Sequence, residues 1–269
     1  MMKTLFTVVL LAVSLGQTTR AMAQAGSDEH PQGVFQTELV YPQEKGSFQL
    51  TSSFRFSDAD KDFSNDLALE YGLTHSWQVE LQWQSFARKK AVEGLILRGS
   101  GDLRLGTKYS FMNIHGSNFH SAIGFELGLS GPSAKRGISE GTIEYEPYVI
   151  VAKDFPGLSR LQLFSQLGLT LAHPVNELTL NENDHNEKTI EWSSGMFVPY
   201  RRARFTTEIS WSKSSSESNL YLTPGFVWKL PGDLEFGVGV PIGTTREADP
   251  FGMIVNVVYE FGGAREPRK

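Results

Sequence analysis

Charged and hydrogen-bonding side chains recur at alternate positions along several stretches of this chain. Gln78, Glu80, Gln82 and Gln84 form one row. Asp102, Arg104, Lys108 and Ser110 form a second, Thr142, Glu144, Glu146 and Tyr148 a third, and Arg204, Thr206, Glu208, Ser210 and Ser212 a fourth. Alternate residues of a β-strand point to the same face, so each row lies along one side of a strand. The chemistry open to such rows is solvation and ion pairing, because an unpaired charge in an apolar interior costs several kcal/mol. The same phase in neighbouring stretches adds Arg55, Asp66, Glu70, Glu126, Glu191, Lys229, Glu235 and Glu260. These faces therefore meet a compartment that holds water, with acids outnumbering bases by about eleven to five.

Other chemistries find less support. The run NENDHNE at residues 181–187 offers oxygen ligands of the kind Ca²⁺ takes, but it lacks the spacing and internal glycine of a calcium loop, so no metal is expected. His115, Gly116, Ser117 and Asn118 resemble the nucleophile segment of outer-membrane phospholipase A; here they fall in a turn, where Gly, Ser and Asn are ordinary turn formers. No Gly-rich phosphate loop precedes a helix, no cysteine is present, and the remaining histidines are scattered singly. No catalytic residue and no cofactor are expected.

The elements that must position these rows are strands. Phe251, Met253, Val255, Val257, Tyr259 and Phe261 share one face, while Gly252, Asn256 and Glu260 share the other, so the ribbon is greasy on one side and polar on the other. Twelve such strands are predicted, at about 47–56, 65–74, 76–86, 101–111, 119–130, 141–152, 160–172, 188–199, 203–213, 219–230, 233–243 and 251–261. Their connections alternate between short and longer, the longer ones being rich in charge, Ser, Asn and Gly. On the apolar face, Trp77, Tyr109, Phe205, Trp228 and Tyr259 fall at one end of their strands, and Phe56, Trp83, Trp211 and Phe251 at the other. This is the aromatic girdling of a transmembrane β-barrel, with short turns on the periplasmic side. A soluble sandwich or lipocalin-like barrel also alternates, but does not sort its aromatics to strand ends.

The N-terminus supports export. Lys3, an apolar run over residues 4–15 and Ala21-Met22-Ala23 read as a cleavable signal peptide over 1–23. Residues 24–46 read as an irregular periplasmic lead-in with a short ordered piece around 34–41, followed by the barrel at 47–261 and a tail at 262–269. With hydrophobic residues at 40%, and no apolar stretch beyond residue 23 long enough for a spanning helix, strands are left as the spanning element. The chain has 25 basic and 30 acidic residues, and loses Lys3 and Arg20 with the signal, which argues against nucleic acid as a partner. The partners expected are outer-membrane lipid, the barrel-assembly machinery and a small-molecule cargo.

The segments at 101–109, 224–228 and 234–243, together with Glu70-Tyr71-Gly72-Leu73-Thr74, are similar to a bacterial outer-membrane family labelled as transporters of the "MetA pathway of phenol degradation" type. The resemblance spans most of residues 40–261 and implies a twelve-stranded barrel that moves small, aromatic or hydrophobic compounds. The last strand also resembles the C-terminal assembly signal of such barrels, except that eight residues follow Phe261. Glycines at inward positions, among them Gly106, Gly168, Gly225, Gly237 and Gly239, leave lumen volume free or relieve crowding. The expected function is a small-molecule channel of the Gram-negative outer membrane. The alternatives are a closed barrel plugged by its own side chains and by the lead-in segment, and a surface hydrolase.

Overall fold

The computed structural model describes residues 34–58, 61–90, 95–134, 137–139, 141–175 and 186–263. The signal peptide and most of the 181–187 run lie outside these residues. The protein is all-β. Its strands are β1 (Ser47–Ser57), β2 (Phe63–Gly72), β3 (Trp77–Lys90), β4 (Ile96–Gly99 and Leu103–Phe111), β5 (Phe119–Leu129), β6 (Thr142–Phe155), β7 (Leu161–Pro174), β8 (Glu187–Tyr200), β9 (Ala203–Lys213), β10 (Ser218–Leu230), β11 (Leu234–Gly239 and Ile242–Gly243) and β12 (Gly252–Gly262).

Each strand pairs antiparallel with its sequence neighbours, and β1 closes on β12 from Ser47 opposite Gly262 to Ser57 opposite Gly252. Closure leaves no free edge, so backbone donors and acceptors are satisfied around the whole wall. Twelve strands in up-and-down order is the predicted architecture.

Burial follows the predicted phase. In β6 every second residue from Glu146 to Ala152 is buried, and the residues between them are exposed. The outward face is apolar: Trp77, Tyr109, Phe205, Trp228 and Tyr259 are exposed toward the rim with short turns, and Phe56, Trp83 and Phe251 toward the rim with long connections. A greasy ring bounded by aromatics is a surface that meets hydrocarbon between two interfaces.

Three local features depart from the expected strand bounds. β3 and β4 run on past the predicted turn, pairing Lys90 with Ile96. The phase of β3 slips at a bulge, where Asn65 and Asp66 of β2 pair with Phe86 and Gln84 and leave Ser85 as the extra residue. Ser85 caps that bulge by donating to the Asn65 side chain at 2.7 Å, and beyond it Ala87 is buried while Phe86 faces out. β11 is interrupted at Val240-Pro241, since proline supplies no ladder donor. The Pro241 carbonyl still accepts from Gly252 N–H at 2.9 Å, which keeps the wall closed there.

Candidate functional site

The lumen is not only a water-filled space. Residues 34–45, part of the stretch expected as an irregular lead-in and, in the alternative reading, as a plug, run up through its interior and touch strands on every side. Lys45 bridges to Gly72 at the short-turn rim, and Gln43 N–H donates to Gln78 Oε1 at 2.9 Å. Ser110 Oγ donates to the Val40 carbonyl at 2.7 Å, Lys108 Nζ donates to the Leu39 carbonyl at 2.6 Å, and Lys108 also pairs with Glu38 at 3.2 Å. Higher up, Glu38 N–H donates to Gln166 at 2.7 Å. Asn256 Nδ2 donates to the Val34 carbonyl at 2.7 Å.

Physical chemistry explains why an irregular segment can sit there. A segment without secondary structure must find partners for its own N–H and C=O groups when buried, and the polar rows supply them. Its apolar residues meet an equally specific wall. Leu39, Val40 and Tyr41 pack on Ala122, Tyr148, Ile150, Ala152, Phe164 and Phe197. The expectation of a polar inward face therefore needs correction on this side, where Ile150, Phe164 and Phe197 are buried in an apolar cluster with the segment. Burying such side chains contributes about 1.5–3 kcal/mol each.

Tyr41 is the lower anchor. Its hydroxyl donates to Asp154 Oδ1 at 3.0 Å and accepts from Gln162 Nε2. Asn113 N–H donates to His120 Nδ1 at 3.0 Å, so His120 carries its proton on Nε2 and presents it to Asp154 at 3.1 Å.

The upper anchor is Glu208, fully buried on β9. Its carboxylate accepts Phe35 N–H at 3.1 Å, Gln36 N–H at 3.0 Å and the Thr37 hydroxyl at 3.0 Å. Beside it the Phe35 ring enters a socket floored by Gly225, Gly237 and Gly239. A Cβ on Gly225 would lie 2.4 Å from the ring, one on Gly239 2.6 Å and one on Gly237 3.2 Å. Val227 and Ile254 complete the apolar wall. These glycines, read from sequence as free lumen volume or as relief of crowding, make room for one aromatic side chain.

The remaining predicted lumen residues form two groups. Glu70, Glu80, Gly106, Glu126 and Glu146 stand directly opposite one another across β2 to β6, which makes a belt of carboxylates at one level. Gly106 leaves the space that Glu80 and Glu126 occupy on either side of it. Like charges facing each other repel, and two cations offset part of this. Arg104 lies 2.9 Å from Glu144, 3.2 Å from Glu146 and 3.7 Å from Glu126, and Lys108 is the second. Glu70 also accepts from Gln49 and Gln78, each at 2.7 Å. Arg55 pairs with Asp66 at 3.5 Å, Arg204 with Glu235 at 2.8 Å, and Glu191 accepts from Thr170 at 3.2 Å. Lys229 stands opposite Glu235 near the short-turn rim. Asp102 faces a different task, since it accepts Gly131 N–H at 2.8 Å and the Ser139 hydroxyl, pinning a long connection rather than lining a path.

Beside Gln36, toward the long-connection rim, lies a cavity of about 360 Å³, bordered by Gln36, Arg55, Gln84, Tyr221, Pro241 and Ile254. The His115 to Asn118 turn is remote from it. There Ser117 Oγ donates to the Ile114 carbonyl at 2.6 Å, a turn bond that leaves no activated nucleophile.

No protein-family model and no curated protein matches the chain. Solved structures do. The COG4313 outer membrane channel from Pseudomonas putida F1 aligns with a TM-score of 0.61 at 10% identity, over 87% of this chain and 100% of that one. The NanC porin aligns at 0.55 and 8% identity, over 80% and 100%. The KdgM porin, solved in complex with disordered oligogalacturonate, aligns at 0.51 and 14% identity, over 80% and 99%. The fold is that of outer-membrane β-barrels.

Sequence reasoning missed Phe35, Thr37 and Tyr41 as functional residues, along with their receptors Gln166, His120, Asp154 and Gln162. One signal was available. Ile150, Ala152, Phe164 and Phe197 occupy inward positions of strands whose other inward residues are polar, and only a covering element makes them stable there.

Proposed function

We propose that this protein is a channel of the Gram-negative outer membrane for small molecules, held closed by its own N-terminal segment, with the short turns in the periplasm. The observation that carries the reading is the lumen itself. Charged rows, a carboxylate belt and a 360 Å³ cavity lie along the lumen, and residues 34–45 occupy that lumen through polar contacts as well as packing. The fold shared with channels and porins supports transport rather than hydrolysis, as does a Ser117 engaged in a turn.

The finer reading is that the cargo is small and aromatic or hydrophobic. The sequence resemblance to the MetA-type transporters favours it, and so does a lumen socket shaped to a phenyl ring. The test is conductance of the purified protein in planar bilayers, with and without aromatic solutes. Transient openings that become more frequent when the segment is weakened support a gated channel. A barrel that never conducts, even with the segment weakened, overturns it in favour of a structural role.

A further inference from the structure

Phe35 of the N-terminal segment occupies its seat in the manner of a ligand, and the groups it satisfies define what that ligand is. The Phe35 ring fills a socket where a Cβ on any of three glycines would crowd it. One side-chain carbon separates the ring from a backbone whose N–H reaches Glu208 Oε1 at 3.1 Å. The carbonyl of the same residue accepts from Arg55 Nη2 at 3.5 Å. Ring, nitrogen and carbonyl of one residue thus meet an apolar slot, a buried carboxylate and a guanidinium.

Around the carboxylate the site holds hydrogen-bonding capacity that the segment leaves unused. Thr206 and Thr223, 3% and 0% exposed, carry hydroxyls without a partner, and Thr223 stands directly opposite Glu208 in the ladder. Buried polar groups are nearly always satisfied, so two adjacent orphans beside one carboxylate mark a place where more donors and acceptors can be received than the peptide supplies. A peptide N–H is neutral and single. An ammonium offers three donors and a full positive charge, and a buried carboxylate holds it more strongly.

We propose that the Phe35 seat is a binding site for a free aromatic α-amino acid, with its ring on Gly225, Gly237 and Gly239, its ammonium on Glu208 and its carboxylate on Arg55. The inference rests on the reading of the segment as a displaceable closure. Phe35 is then a tethered competitor, and the cavity bordered by Arg55, Gln36 and Ile254 is the approach from the long-loop side. A ligand that binds only the vacated seat has its apparent affinity reduced by the fraction of time the seat is empty. Weakening the tether therefore strengthens binding of the free amino acid without touching the site.

The experiment is titration calorimetry of the full-length protein in detergent with L-phenylalanine, comparing wild type with Phe35→Gly. Loss of the ring's burial releases the tip enough to raise the apparent affinity by roughly tenfold or more. 3-Phenylpropionate, which lacks the ammonium, and L-leucine, which lacks the ring, bind at least ~10-fold more weakly than L-phenylalanine, since each leaves one partner unmet. Glu208→Gln in the Phe35→Gly background removes the preference over 3-phenylpropionate.

Absence of saturable binding to Phe35→Gly, or equal binding of all three compounds, overturns the proposal. Should Phe35→Gly fail to form a heat-modifiable barrel, the otherwise wild-type chain with Gln36→Cys serves, because the natural chain has no cysteine. L-phenylalanine then accelerates maleimide labelling at position 36, and an unchanged rate overturns the proposal. Neither readout uses conductance. A barrel that binds L-phenylalanine and never conducts refutes the channel alone, and one that conducts without binding it refutes the amino-acid site alone.

Discussion

Glu208 on β9 accepts the backbone N–H of Phe35 across a separation of 173 residues, at 3.1 Å and out of reach of solvent. The N-terminal segment is thereby tied to the far wall at mid-lumen. Hydrogen bonds to a charged acceptor contribute about 1.5–3 kcal/mol each, and three converge here. Glu208→Ala is expected to free the tip and raise the open probability in planar bilayers by tenfold or more, on the order of a single such bond lost. An unchanged record in Glu208→Ala would mean that the segment is held by its lower anchor alone.

The glycine socket gives a cleaner test, because the three nearest atoms to a Cβ built on Gly239 all belong to the Phe35 ring. Gly239→Ala should loosen the segment, read as faster proteolysis after Lys45, an exposed site at its base. In a Phe35→Ala background the same substitution should change little. Contacting residues couple by about 0.5–3 kcal/mol in such cycles. Strict additivity of the two changes would show that ring and glycine do not meet.

The wall was legible in the sequence, and a lumen plugged by the lead-in was one of the alternatives it left open, but the residues that seat the segment were not legible. Alternation along a strand is a local signal, and Phe251 to Phe261 displays it without reference to any other part of the chain. The glycines at 225, 237 and 239 were visible as gaps, but nothing local names the occupant. Phe35 lies 190 or more positions before them in an aperiodic segment. Tyr41 and Asp154 are likewise 113 residues apart. An irregular strap that takes its hydrogen bonds from distant strands leaves no periodicity to read, and its trace is indirect, in inward-facing apolar residues such as Ile150 and Phe197 that need a cover.

Inside and outside assignments can be separated by charge. Leu105 is 43% exposed on the outer face, and its neighbour in the ladder, Leu81, is exposed beside it. An arginine on a lipid-facing site near the bilayer midplane costs about 2–4 kcal/mol. Leu105→Arg should therefore lower the yield of heat-modifiable barrel in outer-membrane fractions. Gln82→Arg, on the inner face opposite Arg104, should be tolerated because carboxylates stand nearby. Similar yields from both variants would mean that the inside and outside assignments are wrong, and a lower yield from Gln82→Arg than from Leu105→Arg that the two faces have been exchanged.

Ion selectivity follows from how the carboxylate belt is compensated. Glu70, Glu80, Glu126 and Glu146 lie at one level, with Glu144 and Glu191 close by, while Arg104 and Lys108 are the cations set among them. Lys108 is also drawn toward the N-terminal segment by Glu38 and the Leu39 carbonyl. Charged rings of one sign favour the opposite ion, so the open barrel should prefer cations modestly in a salt gradient. Arg104→Gln removes the partner of three glutamates and should shift the reversal potential further toward the cation limit. The shift should shrink as ionic strength rises, because screening acts over about 10 Å at 0.1 M. Anion selectivity in the wild type, or an Arg104→Gln reversal potential identical to it, would place the ion path away from this belt.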